Sequence, residues 1–462
     1  GKGGDGAGIH CATATISNCQ ILNNRTGNGG WGEYGHSSFA RGGHGGGVYC
    51  AVGPAMFLET AICGNSAGAG GESHCNGAPG GSGGGLFSTA QAYPHILNCV
   101  IANNTTGDGS VARGWYHEAF AGDGGDGAGV YCYAAHISNC LLAANVTGNG
   151  GGGGGGYPCD GGRGGNGGAA LGYSVTFTNC TIIGNGCGFG GSGDAGGIDG
   201  ENGQAGGVYC SSSGTRIVNG IVWNNTAGGM QDQDAQIFGT EAVAYSCIQS
   251  CTSYCDDPTD HNIGDDPLFV NASGGDYHLS VCSPCINAGS YVAAAGATDI
   301  DGDPRILFDV VDMGADEATA PPVGSLQVVI SPQAAIDAGA QWRRVGTSIW
   351  YDSGYAENDI IVGGYTVEFK DIAGWTMPVN QAVTIKNCQT TSAGGSYIQH
   401  TGSLRVTISP QAAIDAGAQW RRVGTSTWHD SGYTESNIMV GGYTVEFRDI
   451  AGWTRPSNLP VT

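Results

Sequence analysis

The residues best suited to bind a cation form one short acidic run. In Asp299-Ile300-Asp301-Gly302-Asp303, three carboxylates recur at every second position. Hard cations such as Ca²⁺ are bound by clustered carboxylates. Asp299, Asp301 and Asp303 are therefore a candidate calcium site, and no other cofactor is expected.

The same region supports a second interpretation without metal. The run lacks the glycine position and the distal glutamate that an EF-hand loop requires. Arg305 follows closely and could instead pair with Asp312 or Glu317 to lock the last turn of this region. Both interpretations stay open on sequence grounds.

Catalytic patterns are weak elsewhere in the chain. A lyase or glycosidase needs paired carboxylates, or a basic residue with a metal, in one groove. Between Arg25 and Arg216, arginine occurs only at positions 41, 113 and 163, each in a different loop or turn. The glycine runs lack the following Lys-Ser or Lys-Thr of a phosphate-binding loop. We therefore expect a protein that is not an enzyme.

Asparagines recur at a fixed spacing and have two interpretations. Six of them are 41, 39, 41, 40 and 40 residues apart, namely Asn24, Asn65, Asn104, Asn145, Asn185 and Asn225. Asn24, Asn104 and Asn145 lie in N-x-[ST] sequons and are candidate glycosylation sites. The alternative is a stacked ladder that closes each coil, because asparagine tolerates the left-handed turn conformation.

The segments before these asparagines predict short strands. Residue positions equivalent to Ile21 are always apolar, and those two residues earlier are small or sulfur-bearing, whereas the residue between them varies. Period two with one constant face indicates strands with one side buried. Regular repeats of this length indicate a solenoid, and short parallel strands once per coil predict a β-helix.

Two sets of motifs add a family resemblance. Gly46-Gly47-Val48-Tyr49, followed by an Asn-Cys pair and a closing asparagine, resembles the polymorphic outer-membrane-protein type of repeat. Asp266-Pro267-Leu268-Phe269, Ser283 to Gly289 and Val311 to Glu317 resemble the choice-of-anchor Q terminal module. The resemblance covers about residues 1 to 317. It implies a right-handed parallel β-helix exported to a bacterial surface, and it implies fold and location better than activity.

Composition narrows the partners and the compartment. The net charge of −23 makes nucleic acid and anionic membranes improbable partners. No run of eighteen apolar residues is present, so no membrane span is expected. Eighteen cysteines favour an oxidising, extracellular setting. They could form cross-coil disulfides or stack inward as thiols.

Glycine-rich excursions of similar length separate the strands, and the 89 glycines of the chain concentrate there. A local Gly-Gly-x rhythm suits polyproline-II-like segments that pack side by side, and mobile loops are the alternative. Large aromatic residues favour order and mark a candidate interaction surface: Trp31, Tyr34, Phe39, Trp115, Tyr116, Phe120, Tyr157 and Phe189.

The chain divides into four predicted parts. Residues 1–229 form the β-helix coils with their glycine-rich excursions, and residues 230–319 form terminal coils and a Cys/Asp-rich cap over the end. Two copies of a new repeat, 324–400 and 402–462, resemble immunoglobulin-like β-sandwich modules of bacterial surface proteins. The second copy stops before its last strand, so either the chain continues or the open edge accepts a neighbour's strand.

These observations predict an all-β, secreted structural protein of the cell surface. We expect it to form an extracellular fibre, surface layer or adhesin by association with copies of itself. The alternatives are a carbohydrate-active β-helix enzyme, which would cleave polysaccharide, and an adhesin that binds glycans without cutting them.

Overall fold

The computed structural model describes residues 1–31, 40–72, 76–114, 118–155, 157–212, 214–239, 242–308 and 310–462. The chain forms two compact units, Gly1–Pro321 and Pro322–Thr462. The first is a parallel β-solenoid and the second consists of mainly antiparallel β-sheets with one parallel strand pair, so the predicted all-β class is confirmed. None of the helices in the described ranges has the length and apolar character needed to cross a membrane.

The first sheet of the solenoid combines two strand positions in each coil. One position is occupied by Ile9–Cys11, Val48–Cys50, Leu86–Ser88, Val130–Ser138, Ala170–Thr178, Val208–Cys210 and Ile237–Phe238. The other is occupied by Ala14–Ser17, Ala55–Leu58, His95–Leu97, Arg216–Val218 and Ala242–Ala244, and the two long strands span both positions. All these neighbours pair in parallel and in register.

The second sheet contains one short strand per coil. Its strands are Gln20–Leu22, Ala61–Cys63, Val100–Ala102, Leu141–Ala143, Thr181–Ile183, Ile221–Trp223 and Cys247–Ile248. The central residue of each strand is apolar and points into the core, as the period-two pattern predicts; Ile62, Ile101, Leu142 and Ile182 are fully buried. Each such side chain contributes about 1.5–3 kcal/mol of hydrophobic stabilisation.

Two turns of each coil, one before and one after the strand of the second sheet, pass through residues in the left-handed conformation. At the first turn these are mostly asparagines, such as Asn98, Asn139 and Asn179, with φ near 50°. At the second turn the left-handed residue is the one before the recurring asparagine, for example Asn103 with φ 56° or Ala144 with φ 53°. The expectation that the recurring asparagine itself adopts this conformation is therefore wrong.

The last coil of the solenoid and the chain directly after it contain short irregular elements. These are the helix Gln233–Gln236 and the 3₁₀ turn Ser253–Cys255. Cys251 and Tyr254 pack against the core, and a disulfide joins Cys251 to Cys255. This part of the predicted cap region therefore packs against the core.

Residues 268–308 and 310–318, called the flanking segment below, return along the side of the coils. They include the hairpin Phe269–Asn271 with Asp276–Leu279 and the 3₁₀ turns Ala272–Gly274 and Tyr291–Ala293. Asn139 donates its amide to the carbonyls of Ala295 and Thr298 at 2.7 and 2.8 Å. The flanking segment therefore covers the lateral face of several coils, not only the end that the sequence predicted.

The second unit contains two copies of one arrangement. In the first copy, Val323–Ser331 pairs with Ala356–Ile361 and Thr390–Ser396 in one sheet, and Gly363–Phe369 pairs with Trp342–Arg344 and Gln381–Ile385 in another. A third, two-stranded sheet joins Trp375–Thr376 to Ile398–Gln399. This copy also contains the helix Gln333–Asp337. In the second copy, Thr401–Arg405 pairs with Thr434–Met439. A four-stranded sheet follows the spatial order His429–Asp430, Gln419–Arg422, Tyr443–Phe447 and Leu459–Val461, and the helix of this copy is Gln411–Asp415. Trp342 and Trp420 are the fully buried equivalents at the two cores.

Candidate functional site

The recurring asparagines form a continuous buried ladder. Asn24 begins the series as a donor. From Asn65 through Asn225, each side-chain oxygen accepts both the backbone N–H and the side-chain amide of the preceding asparagine, and Gln236 accepts the last pair. Asn104 and Asn145 have no exposed surface, whereas Asn24 is partly exposed. Because the amide of Asn104 also donates to the carbonyl of Ile62, a glycan there would have to replace one of these bonds. The ladder alternative is thus the one the structure realises.

The glycine-rich excursions are packed through backbone hydrogen bonds. In each coil an outward run is followed by a return run, for example 146–155 and 159–168, and all these runs together are called the glycine bundle below. In the return runs, Gly77, Gly80 and Gly83 donate to the next coil at 120, 123 and 126. Donors that recur every three residues match the repeat of a polyproline II segment. The side-by-side packing that the Gly-Gly-x rhythm predicted is therefore present.

The outward and return layers also bond to each other. Gly122 donates to the carbonyl of Ser110, and Gly151 donates in turn to Gly122. A Cβ built on Gly122 would lie 2.0 Å from the carbonyl oxygen of Ala78. Glycine is required at such positions because any side chain would occupy the space of the neighbouring backbone.

Four of the eight residues of the predicted aromatic surface lie within the part of the chain that the structure describes. Trp31, Phe120, Tyr157 and Phe189 are 46–57% exposed on the glycine bundle. Their backbones are held by the bundle, as where the N–H of Phe189 donates to Asn149 at 2.8 Å. Tyr34, Phe39, Trp115 and Tyr116 lie outside the described residues. The described four are large side chains displayed from an ordered support.

A cleft of about 280 Å³ lies between the first sheet and the return runs. Its lining includes Arg41, His44, Asp126, Tyr131 and Arg163. The ring of His44 is buried, and its Nδ1 accepts the N–H of Ser82 at 2.8 Å. Burial, with Arg41 nearby, lowers the pKa of His44 to about 4. Sequence reasoning missed this cleft because its residues come from four successive coils.

Three charged groups of the cleft, Asp123, Asp126 and Arg163, already have protein partners. Arg163 pairs with Asp123 at 3.0 Å, which raises the pKa of Arg163. The Asp126 carboxylate accepts the N–H and the amide of Asn166, while burial raises the pKa of Asp126. Aromatic rings stack on each other, with Phe87 between His44 and Tyr131. The cleft offers polar edges, and three of its charged groups are bound to protein partners.

Cysteines are mostly packed as thiols. Cys99, Cys140 and Cys180 stack in successive coils, buried and free. Cys132 is free as well, so it does not bridge to Cys140. Of the two interpretations left open, inward stacking therefore applies to these residues. Because buried cysteine packs as a small apolar side chain, these thiols account for part of the cysteine count, and the oxidising compartment stays a prediction.

The three candidate calcium ligands have different roles. Asp299 is fully buried, and one of its oxygens accepts the N–H groups of Asp301, Gly302 and Asp303 at 2.9–3.0 Å. Its other oxygen accepts the N–H of Glu317 at 2.9 Å. Both oxygens of Asp299 therefore stabilise the turn, and Asp299 is no longer a candidate calcium ligand. Asp303 lies in the same turn with its side chain exposed to solvent.

Asp301 instead lies near two residues that the sequence did not single out. Its carboxylate is 3.2 Å from Nε2 of His278, and the ligand atoms of His278, Asp301 and Asp316 are all within 4.8 Å of one another. The Nδ1 atom of His278 bonds Asp276 at 2.5 Å. The available signal was the short motif Asp276-Tyr277-His278-Leu279, which ends 20 residues before the acidic run begins.

Arg305 takes the structural role that the sequence offered as an alternative. It is buried, and its guanidinium pairs with the buried Glu317 at 3.1 Å and donates to the carbonyl of Ala315 at 2.9 Å. Asp312 accepts the N–H of Asn287 and of Ala318. Burial raises the pKa of Asp312 to about 6. This network fixes the last turn of the flanking segment.

Comparison with models of known protein families finds no match, and comparison with curated proteins finds none. The class that the fold defines is a parallel β-solenoid followed by β-sandwich-like sheets. The narrower bacterial surface-protein class stays a prediction from the sequence motifs.

Proposed function

We propose that the protein is an extracellular structural scaffold, without enzymatic activity, that assembles with further copies of itself through the glycine bundle. The observation that carries this proposal is the display of Trp31, Phe120, Tyr157 and Phe189 on a bundle held by backbone hydrogen bonds. Large exposed apolar side chains on an ordered surface are typical of interaction sites.

A second copy of the chain is the occupant that the chemistry of this surface favours. Two arginines of the bundle are neutralised by acids of an adjacent coil, Arg113 by Glu72 and Arg163 by Asp123. Charge repulsion between two such surfaces is therefore reduced despite the net charge of −23. Glycine segments also present flat backbone that a like surface can approach closely.

Sedimentation velocity over a range of concentrations tests the proposal. The wild-type chain is expected to associate, and a Phe120→Ser/Phe189→Ser variant to need about tenfold more protein for the same degree of association. Val292→Ser is the matched control, since Val292 is 94% exposed but lies outside the bundle. A wild-type chain that stays monomeric at the highest concentration contradicts the proposal.

The cleft beside His44 favours a second candidate function, the binding of a glycan. It combines arginine, carboxylate and tyrosine edges, which suit the hydroxyl and carboxylate groups of a sugar. Asp123 and Asp126 already accept hydrogen bonds from the protein, so they are poorly placed to act as catalytic carboxylates. We therefore favour glycan binding without cleavage. Polysaccharide columns separate the cases: retention without new reducing or unsaturated ends indicates binding, and new ends indicate an enzyme.

A further inference from the structure

We propose that His278, Asp301 and Asp316 form a binding site for one divalent transition-metal ion. The three side chains come from the strand Asp276–Leu279, from the turn organised by Asp299, and from the last turn of the flanking segment. The Nε2 atom of His278 and a carboxylate oxygen of Asp301 are 3.2 Å apart. Two neighbouring ligands with bonds of about 2.1 Å to one ion have nearly this separation.

The imidazole is already oriented as a ligand. Its Nδ1 bonds the carboxylate of Asp276 at 2.5 Å, which leaves Nε2 facing Asp301 and Asp316. Histidines that bind metals almost always donate their other N–H to a carboxylate or carbonyl in this way. Asp276 is therefore a positioning residue of the site.

The third ligand is also fixed by the fold. One oxygen of Asp316 accepts the N–H of Leu279 at 2.9 Å, and the carboxylate is partly buried. Among the described residues, neither Asp301 nor Asp316 forms an ion pair with lysine or arginine. A bound cation would supply the positive charge that this group of carboxylates lacks.

A cavity of about 180 Å³ adjoins the three ligands. It lies between the flanking segment and the outer face of the second sheet, and Val100, Leu141, Thr181 and Tyr277 line it. An ion bound at its polar end would have room for water or a small ligand on the open side. It would also join three parts of the flanking segment where that segment packs on the coils.

The ligand set selects the class of ion. Ca²⁺ and Mg²⁺ prefer oxygen ligands only, whereas imidazole with carboxylates suits ions such as Mn²⁺, Co²⁺ and Zn²⁺. Mn²⁺ is the better probe here, because the free thiols of the chain would also take up Zn²⁺.

The test is calorimetric titration of the chelator-treated full chain with Mn²⁺, with Mn²⁺ electron paramagnetic resonance as the second readout. One equivalent is expected to bind and to raise the Tm. His278→Ala and Asp301→Asn should lower the affinity at least tenfold, and Asp276→Asn by roughly 10–100-fold. Asp303→Asn is the matched control, because Asp303 lies in the same turn, is exposed and is outside the ligand set.

Two results would contradict the proposed metal site. Absence of Mn²⁺ binding, or binding that His278→Ala leaves unchanged in a chain with wild-type circular dichroism, overturns the proposal. Binding of Ca²⁺ in preference to Mn²⁺, with loss in Asp303→Asn, would instead support the calcium set predicted from the acidic run. Because all three ligands belong to one chain, failure of self-association would not affect this measurement.

Discussion

Asn104 donates its side-chain amide to the side-chain oxygen of Asn145, one coil further along, at 2.9 Å. The same oxygen accepts the backbone N–H of Asn104 at 3.0 Å. One buried oxygen therefore fixes two donors, and the relationship repeats from coil to coil. Both residues lack any exposed surface, so water cannot replace these bonds.

Replacing Asn104 with alanine should destabilise the solenoid by about 3 kcal/mol, because the N–H and amide of Asn65 lose their buried acceptor. Thr105→Ala is the matched control, since the Thr105 side chain is exposed and such changes stay within about 0.5 kcal/mol. Hydrogen exchange of the strands Ala61–Cys63 and Val100–Ala102 reports the loss locally. Equal protection in the two variants would contradict the role assigned to the ladder.

The glycine bundle predicts opposite results at adjacent positions. A Cβ on Gly151 would lie 2.1 Å from the carbonyl oxygen of Ser110, whereas a Cβ on Gly152 has its nearest neighbour at 3.6 Å. Gly151→Ala should cost more than about 2 kcal/mol, and Gly152→Ala should be neutral or stabilising by up to about 1 kcal/mol. Urea titration of both variants checks this, and a neutral Gly151→Ala would show that the runs are not closely packed.

Stability should depend on pH through His44. Burial holds its pKa near 4, below the usual 6.5, so the unfolded chain binds an extra proton between these values. The free energy of unfolding therefore falls as the pH is lowered from about 6.5 to 4, by about 3 kcal/mol from this residue.

His44→Asn is the matched control for this pH dependence. Asn166 occupies the position equivalent to His44 in the return run of a later coil, and its side-chain oxygen accepts the N–H of Gln204 at 2.8 Å. An asparagine at position 44 can therefore keep the hydrogen bond from the N–H of Ser82. Carboxylates other than Asp5, whose pKa depends partly on the charge of His44, titrate alike in both proteins. The difference between the two pH profiles therefore reports His44 together with its effect on Asp5. Parallel profiles from pH 6.5 to 4 would be inconsistent with a buried neutral imidazole.

Two ion pairs should differ greatly in their sensitivity to mutation. Arg305→Ala leaves the buried Glu317 without its partner and should cost about 3–5 kcal/mol. Arg113→Ala breaks an exposed pair with Glu72 at 3.2 Å and should cost less than about 1 kcal/mol. Thermal unfolding of both variants, monitored by circular dichroism, measures the difference. Similar losses would mean that Glu317 finds another partner.

The sequence by itself determined the coils, because a repeated turn and a repeated apolar position favour the same local geometry in every copy. The asparagine spacing predicted the ladder, and the Gly-Gly-x rhythm offered the packed runs as one of two interpretations. The sequence also offered the pairing of Arg305 with Glu317 as one of its interpretations, since the two residues are close along the chain.

Only the tertiary structure decided which distant side chains meet. His278 joins Asp301 and Asp316 because the flanking segment turns back along the coils, a path that no local pattern specifies. The left-handed residue lies one position before Asn104 because the ladder bonds need that asparagine's side chain directed inward. Likewise, Cys132 and Cys140 stay thiols because packing places each in the core, which their spacing along the chain does not reveal.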